Sequence, residues 1–168
     1  RVALLDIDYS FSDKNVMLRG VTTSAEAKNA LLKELARKGY TVMDCLELLP
    51  DVKGLEGKTC GIINVSVANM RVAPDFSSEM MTQSLMGMPV RVLQRDGWVR
   101  IQTPDNYIAW VHRVGVHPVT EEEMAAWNKA EKIVVTAHYG FVYSEPNQTS
   151  QTVSDVVAGN RLKWEGSK

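Results

Sequence analysis

The chain has 168 residues, room for one ordinary domain or two or three small ones. Its 45% hydrophobic and 23% charged residues are those of a globular protein, and a net charge of -1 gives no electrostatic drive toward nucleic acid or an anionic membrane surface. No apolar run reaches the roughly 18 residues that span a bilayer, so no membrane span is expected.

The first segment reads strand, strand, helix, strand. Val2 to Tyr9 is a predicted strand, Ser12-Asp13-Lys14-Asn15 a polar turn, and Val16 to Val21 a second strand. Thr23 or Ser24 offers a hydroxyl to cap a helix whose apolar stripe is Ala27, Ala30, Leu31, Leu32 and Leu35. Lys38-Gly39 ends that helix, and Tyr40 to Leu46 alternates like a strand. These elements predict a small α+β domain over residues 1–54, followed by a linker at Pro50 to Lys58, rich in Gly and charge.

From Thr59 the pattern changes to short strands separated by turn signals. Strands are predicted at Ile62 to Val67, Thr82 to Leu85, Val90 to Leu93 and Trp98 to Ile101, with Tyr107 to Val111 the last full strand. Arg95-Asp96-Gly97 reads as a hairpin turn and Thr103-Pro104-Asp105-Asn106 as the next turn. So many short strands predict a small β-barrel over residues 59–118. Thr120 then caps a connecting helix within residues 119–131. Glu121, Glu122 and Glu123 complement its dipole there, and Glu123 stands at the capping-box position.

After Lys132 the barrel pattern starts again. Pro74 and Pro146 are 72 residues apart, as are Gly87 and Gly159; Ser78 then falls on Ser150, Leu85 on Val157 and Asp75 on Asn147. The counterpart of the Val90 strand is Leu162-Lys163-Trp164, and the sequence reaches Lys168 before counterparts of the next two strands. Residues 132–168 are therefore expected to form an incomplete second barrel. It would be completed by further polypeptide or by a partner chain.

The inventory of reactive groups is short. Cys45 and Cys60 belong to no C-x-x-C pair and have no His at zinc-ligand spacing, so both read as small buried hydrophobes, with a single disulfide as the alternative in an exported protein. His112, His117 and His138 fall in strand ends or connections, away from either thiol in sequence. No catalytic residue, metal ligand set or cofactor is expected in this chain.

Two resemblances add to this reading. Val16-x-Leu18-x-Gly20-Val21, followed by the Ser-Ala-Glu-Ala helix and a returning strand, resembles the BON-type domain of bacterial envelope proteins. Asn69-Met70-Arg71-Val72-Ala73-Pro74, Ser78-Glu79, Gln83, Gly87, Val90, Leu93, Gly97-Trp98, Val99, Ile101, Pro104-Asp105, Tyr107 and Trp110-Val111 closely resemble the bacterial SH3-like domain, with Asn106 and Ala109 in place of two of its glycines. Tandem SH3-like domains behind an extra N-terminal domain are similar to the front half of NlpC-type cell-wall cysteine peptidases of the dipeptidyl-peptidase VI kind.

The resemblance implies a cell-envelope location, periplasmic or extracellular, and a catalytic domain following the second SH3-like domain. It implies a stem-peptide endopeptidase of the γ-D-glutamyl-L-diamino acid type, whose first SH3-like domain meets the free amino terminus of the peptide. By motif, Glu79 would supply the carboxylate and Tyr107 the tyrosine there. Phe76, Trp98 and Trp110, beside Tyr107, are candidates for an aromatic groove, although Trp98 and Trp110 also read as barrel core. The expected ligand is peptidoglycan stem peptide or cell wall. Rival readings are a free-standing envelope adaptor and an intracellular protein-binding module on the same fold.

Overall fold

The structure, a computed structural model, describes residues 2–166. Two compact units divide the chain between Lys53 and Gly54.

In the first unit, β1 (Leu5–Ser12) and β2 (Asn15–Thr22) form an antiparallel hairpin, and β3 (Thr41–Leu48) lies parallel to β2. A parallel pair needs a crossover, which α1 (Ala25–Arg37) supplies. Ser24 is the residue that caps α1: its hydroxyl accepts from the Ala27 amide at 3.1 Å. Val16, Leu18 and Leu46 form the core, with Leu31, Leu32 and Leu35 of α1 packed against them. Ala30, expected on the same stripe, is exposed. The strand–strand–helix–strand order follows the sequence reading; nothing in it distinguishes a BON-type domain.

The second unit opens with β4 (Cys60–Ile63), β5 (Val67–Arg71), β6 (Met80–Leu85), β7 (Pro89–Asp96), β8 (Trp98–Gln102), β9 (Ile108–His112) and β10 (Val116–Val119). They form one seven-stranded sheet in the order β10-β4-β7-β8-β9-β5-β6. The sheet wraps a core of Ile63, Met70, Val90, Val92, Val99 and Ile101, all at most 5% exposed. No ladder joins β10 to β6, so the expected closed barrel is an open sheet around its core.

Two sequence expectations need correction here. The strand predicted from Ile62 to Val67 is two strands, β4 and β5, separated at residues 64–66. Tyr107 to Val111 is not the last strand, because β10 follows a 3-10 turn at Arg113–Gly115. Pro118 obscured β10, yet proline is tolerated where a strand lies at a sheet edge, as β10 does.

Beyond β10, Thr120 caps α2 (Glu121–Lys129). Its hydroxyl accepts from the Glu123 amide at 3.2 Å, and the Glu123 carboxylate accepts from the Thr120 amide at 2.8 Å. Four short strands follow: β11 (Lys132–Val134), β12 (Tyr139–Tyr143), β13 (Thr152–Val157) and β14 (Arg161–Lys163).

The repeat seen in the sequence holds at the level of pairing. Val67 opposite Leu85 in β5–β6 becomes Tyr139 opposite Val157 in β12–β13, and the irregularity at Met70/Arg71 recurs at Val142/Tyr143. Cys60 opposite Arg91 in β4–β7 becomes Lys132 opposite Lys163 in β11–β14. Hydrogen bonds join the two sets of strands: Ser66 Oγ donates to Asp155 Oδ2 at 2.6 Å, Asn160 Nδ2 to the Ser66 carbonyl at 2.8 Å, and the Arg161 amide to the Met86 carbonyl at 3.0 Å. Gly87, at φ +82, lies so close that an added Cβ would stand 2.3 Å from the Arg161 carbonyl oxygen.

The cysteines differ from expectation. Cys45 is exposed and Cys60 half-buried, so neither is the buried hydrophobe expected.

Candidate recognition face

Alternation along β8 and β9 sends their side chains to two faces. Val99, Ile101, Ala109 and Val111 enter the core. Trp98, Arg100, Trp110 and His112 take the other face, half-buried, with Trp98 opposite His112 and Arg100 opposite Trp110. The two tryptophans are therefore not core residues, which corrects that alternative. The Arg100 guanidinium stands 5.3 Å from the Trp110 ring centroid, a cation–π contact. Arg71 pairs across from Trp110 at the edge of the same face.

Phe76 reaches this face from the loop between β5 and β6, which is held by local hydrogen bonds rather than by a core. Asp75 Oδ1 accepts from both the amide and the hydroxyl of Ser77 at 2.7 Å, an Asx turn. Ser78 Oγ accepts from the Ala73 amide at 2.9 Å, and Arg71 Nη1 donates to the Ser78 carbonyl at 2.6 Å. The Ser77 amide and hydroxyl hold the Asp75 carboxyl below its ordinary value, with the Arg71 charge adding to them. The loop sets the Phe76 ring 4.9 Å from Trp98 and 5.0 Å from His112, while Trp98 and His112 are 5.3 Å apart. Phe76 is nonetheless 67% exposed. A cleft of about 180 Å³ opens beside the three rings, with Val65, Asn69 and Arg71 on its other walls.

The structure thus brings Phe76 and Trp98 together, adds His112, and puts Trp110 on the same face one alternation further along β9. Glu79 is exposed at the end of the loop, where its carbonyl accepts from the Val72 amide at 3.0 Å. Tyr107 is exposed, and its amide donates to Thr103 Oγ1 at 3.1 Å. It lies at the opposite end of the β8–β9 ladder from Trp98. No hydrogen bond joins the Glu79 and Tyr107 side chains among the described residues. Asn106 adopts φ +73, the left-handed conformation that asparagine tolerates and that glycine would supply in the resembled motif.

His112 and Arg71 were not singled out as ligand-facing residues from sequence. The signal was present: the turn at Thr103 to Asn106 pairs Gln102 with Ile108, and that register carries Trp98 onto His112. Among the described residues no group of three or more His, Cys, Asp and Glu is placed to hold a metal.

The second set of strands repeats the loop but not its chemistry. Asn147 Oδ1 accepts from the amide and hydroxyl of Thr149, both at 3.0 Å, as Asp75 does from Ser77. Ser150 accepts from the Glu145 amide as Ser78 does from Ala73. Arg71, Phe76 and Glu79 are there replaced by Tyr143, Gln148 and Gln151.

Residues 70–114 match the family profile described as the bacterial dipeptidyl-peptidase SH3 domain. No curated protein matches the chain. Among solved structures, the chain is similar to an NlpC/P60 family protein from Bacillus cereus ATCC 10987, with 19% identity and a TM-score of 0.51, over 65% of this chain and 48% of that one. It is also similar to an NlpC/P60 endopeptidase from Photobacterium damselae subsp. piscicida, with 13% identity and a TM-score of 0.53, over 85% of this chain and 33% of that one. The chain thus spans less than half the length of either structure, and at these identities the likeness is one of fold. The profile match places a bacterial SH3 domain at residues 70–114, in a chain whose fold is shared with NlpC/P60 proteins.

Proposed function

We propose that this chain is the non-catalytic recognition and targeting region of a bacterial peptidoglycan endopeptidase of the γ-D-glutamyl-L-diamino acid type. It acts in the cell envelope, with the catalytic domain carried elsewhere in a longer protein. The match of residues 70–114 to the dipeptidyl-peptidase SH3 domain carries this reading. The NlpC/P60 fold likeness and the absence, among the described residues, of a helix long and apolar enough to cross a membrane are compatible with it. In this reading residues 59–118 are the first SH3-like domain, 119–131 the connecting helix, and 132–168 part of a second.

Glu79 and Tyr107 would receive the free amino terminus of the stem peptide. A carboxylate suits an ammonium through a charge-assisted hydrogen bond, and Glu79 is exposed, with its backbone carbonyl held by the Val72 amide. The test is Glu79→Ala in the full-length enzyme, assayed on stem peptides with free and acetylated amino termini. Losing a hydrogen bond to a charged group should lower kcat/KM roughly 10- to 100-fold on the free substrate and leave the acetylated one unchanged. Equal loss on both removes Glu79 from the pocket. A full-length protein that binds purified wall without cleaving stem peptides would instead be an envelope adaptor.

A further inference from the structure

The loop between β5 and β6 ends on Glu79, and the chain is held on both sides of that residue. The Ser78 carbonyl accepts from Arg71 Nη1 at 2.6 Å, and the Glu79 carbonyl accepts from the Val72 amide at 3.0 Å. The peptide planes before and after the Glu79 Cα are thereby tied to the end of β5, and with them the direction of its Cα–Cβ bond. The carboxylate itself has no hydrogen bond or ion pair among the described residues, and it is exposed.

Arg71 can fix this point because its own backbone is fixed. It is the last residue of β5, paired with Met80 of β6 and with Trp110 of β9. A hydrogen bond from a charged donor to a carbonyl is among the stronger ones. The guanidinium has further donors on the same planar fork, and its charge helps to hold down the Asp75 carboxyl on the other side of the loop.

The second set of strands serves as an internal control. There the turn of Asn147 and Thr149 forms, Ser150 Oγ accepts from the Glu145 amide, and the Ser144 amide donates to the Gln151 carbonyl at 2.9 Å. All this is achieved with Tyr143 in the place of Arg71, so the turn does not need an arginine to fold. The residue in the place of Glu79 is Gln151, which carries no charge. The guanidinium and the carboxylate are present together in one copy and missing together from the other.

We propose that Arg71 is a positioning residue for Glu79: by holding the Ser78 carbonyl it aims the Glu79 carboxylate at the ammonium group of a ligand. This rests on the reading of Glu79 as the receiver of a free amino terminus. Arg71 does not meet the ammonium itself, which its own charge would repel.

One ratio in the full-length enzyme tests this: kcat/KM on a stem peptide with a free amino terminus over kcat/KM on the acetylated peptide. Arg71→Ala should lower that ratio roughly 5- to 10-fold, through misplacement of a charge that is still present. Arg71→Lys should stay within about twofold of the unaltered enzyme, because a single bond to a carbonyl does not need the bidentate fork. In the double variant Arg71→Ala, Glu79→Ala the ratio should fall no further than in Glu79→Ala alone, since a residue that acts through Glu79 then has nothing to aim. A merely structural role for Arg71 lowers both substrates together and leaves the ratio unchanged. That result overturns the proposal, as does a double variant in which the two losses multiply. The two readings fail distinguishably. If Glu79→Ala lowers the ratio and Arg71→Ala does not, only the role of Arg71 falls; if Glu79→Ala leaves it unchanged, both fall.

Discussion

Asp75 and Asn147 hold equivalent turns with different charges, and each accepts the same pair of donors. What the loop requires of this position is a side-chain oxygen three bonds from Cα, not a carboxylate. Asp75→Asn should therefore leave the Ser77 amide protected from exchange, whereas Asp75→Ala should expose it and let Phe76 leave Trp98; amide exchange and the Trp98 side-chain NMR signal read the two outcomes. Asn160, fully buried, donates to the Ser66 carbonyl and accepts from the Val157 amide at 2.9 Å. Asn160→Ala strands the Val157 amide and leaves the Ser66 carbonyl with only the Met86 amide, at 3.3 Å, and should cost about 1–3 kcal/mol in urea unfolding. Gly87 and Gly97 both have positive φ, but only at Gly87 does a Cβ meet anything within 4 Å. Gly97→Ala should cost only the backbone strain of about 1–2 kcal/mol, and Gly87→Ala clearly more, because the Arg161 carbonyl must move.

At the scale of elements, α2 depends on a reciprocal cap that pH can open. The Thr120 amide holds the Glu123 carboxyl below its ordinary value of 4.5, with smaller help from the Thr120 side chain and the charges of Lys58 and His117. A carboxyl lowered in the folded state adds stability above its unfolded value and loses it as pH falls through the folded one. Glu123→Gln should thus lower the melting temperature at pH 7 and make little difference near pH 3; thermal unfolding followed by circular dichroism at the two pH values checks this. Elements were also what the sequence displayed best. Alternation and turn residues located β7, β8 and β9, and the spacing of two Pro–Gly pairs revealed the repeat. The same rules missed β10, because Pro118 reads as a breaker until its edge position is known. They were also silent on which face of β8 and β9 takes Trp98 and Trp110. A tryptophan in a short strand of a small barrel reads as core before it reads as groove, and the face is decided by Val99, Ile101, Ala109 and Val111, which fill the interior between them. The Phe76–His112 contact was illegible for a different reason: it joins a loop to a strand end, and no local period links the two.

The whole molecule divides its stability unevenly. The first unit has a buried core of Val16, Leu18 and Leu46, while the second buries eleven residues in one cluster. A unit of this size with so small a core is marginal. All four tryptophans, Trp98, Trp110, Trp127 and Trp164, lie in the second unit, so fluorescence reports on that unit alone. Urea unfolding followed by far-ultraviolet circular dichroism should begin at lower denaturant than unfolding followed by tryptophan fluorescence. Coincident transitions would show that the two units unfold together.

The junction between the two sets of strands does not share their repeat. The first set offers the second a serine at 66 and the Met86 carbonyl. One repeat further on, those places belong to His138 and Ala158. Ala158 still has a carbonyl to give, while an imidazole at His138 stands in place of the Ser66 hydroxyl, and the position equivalent to Asp155 in the first set is Gln83. The docking residues are therefore particular to this one junction: the strand pairings repeat, and the polar groups that hold the two sets together do not.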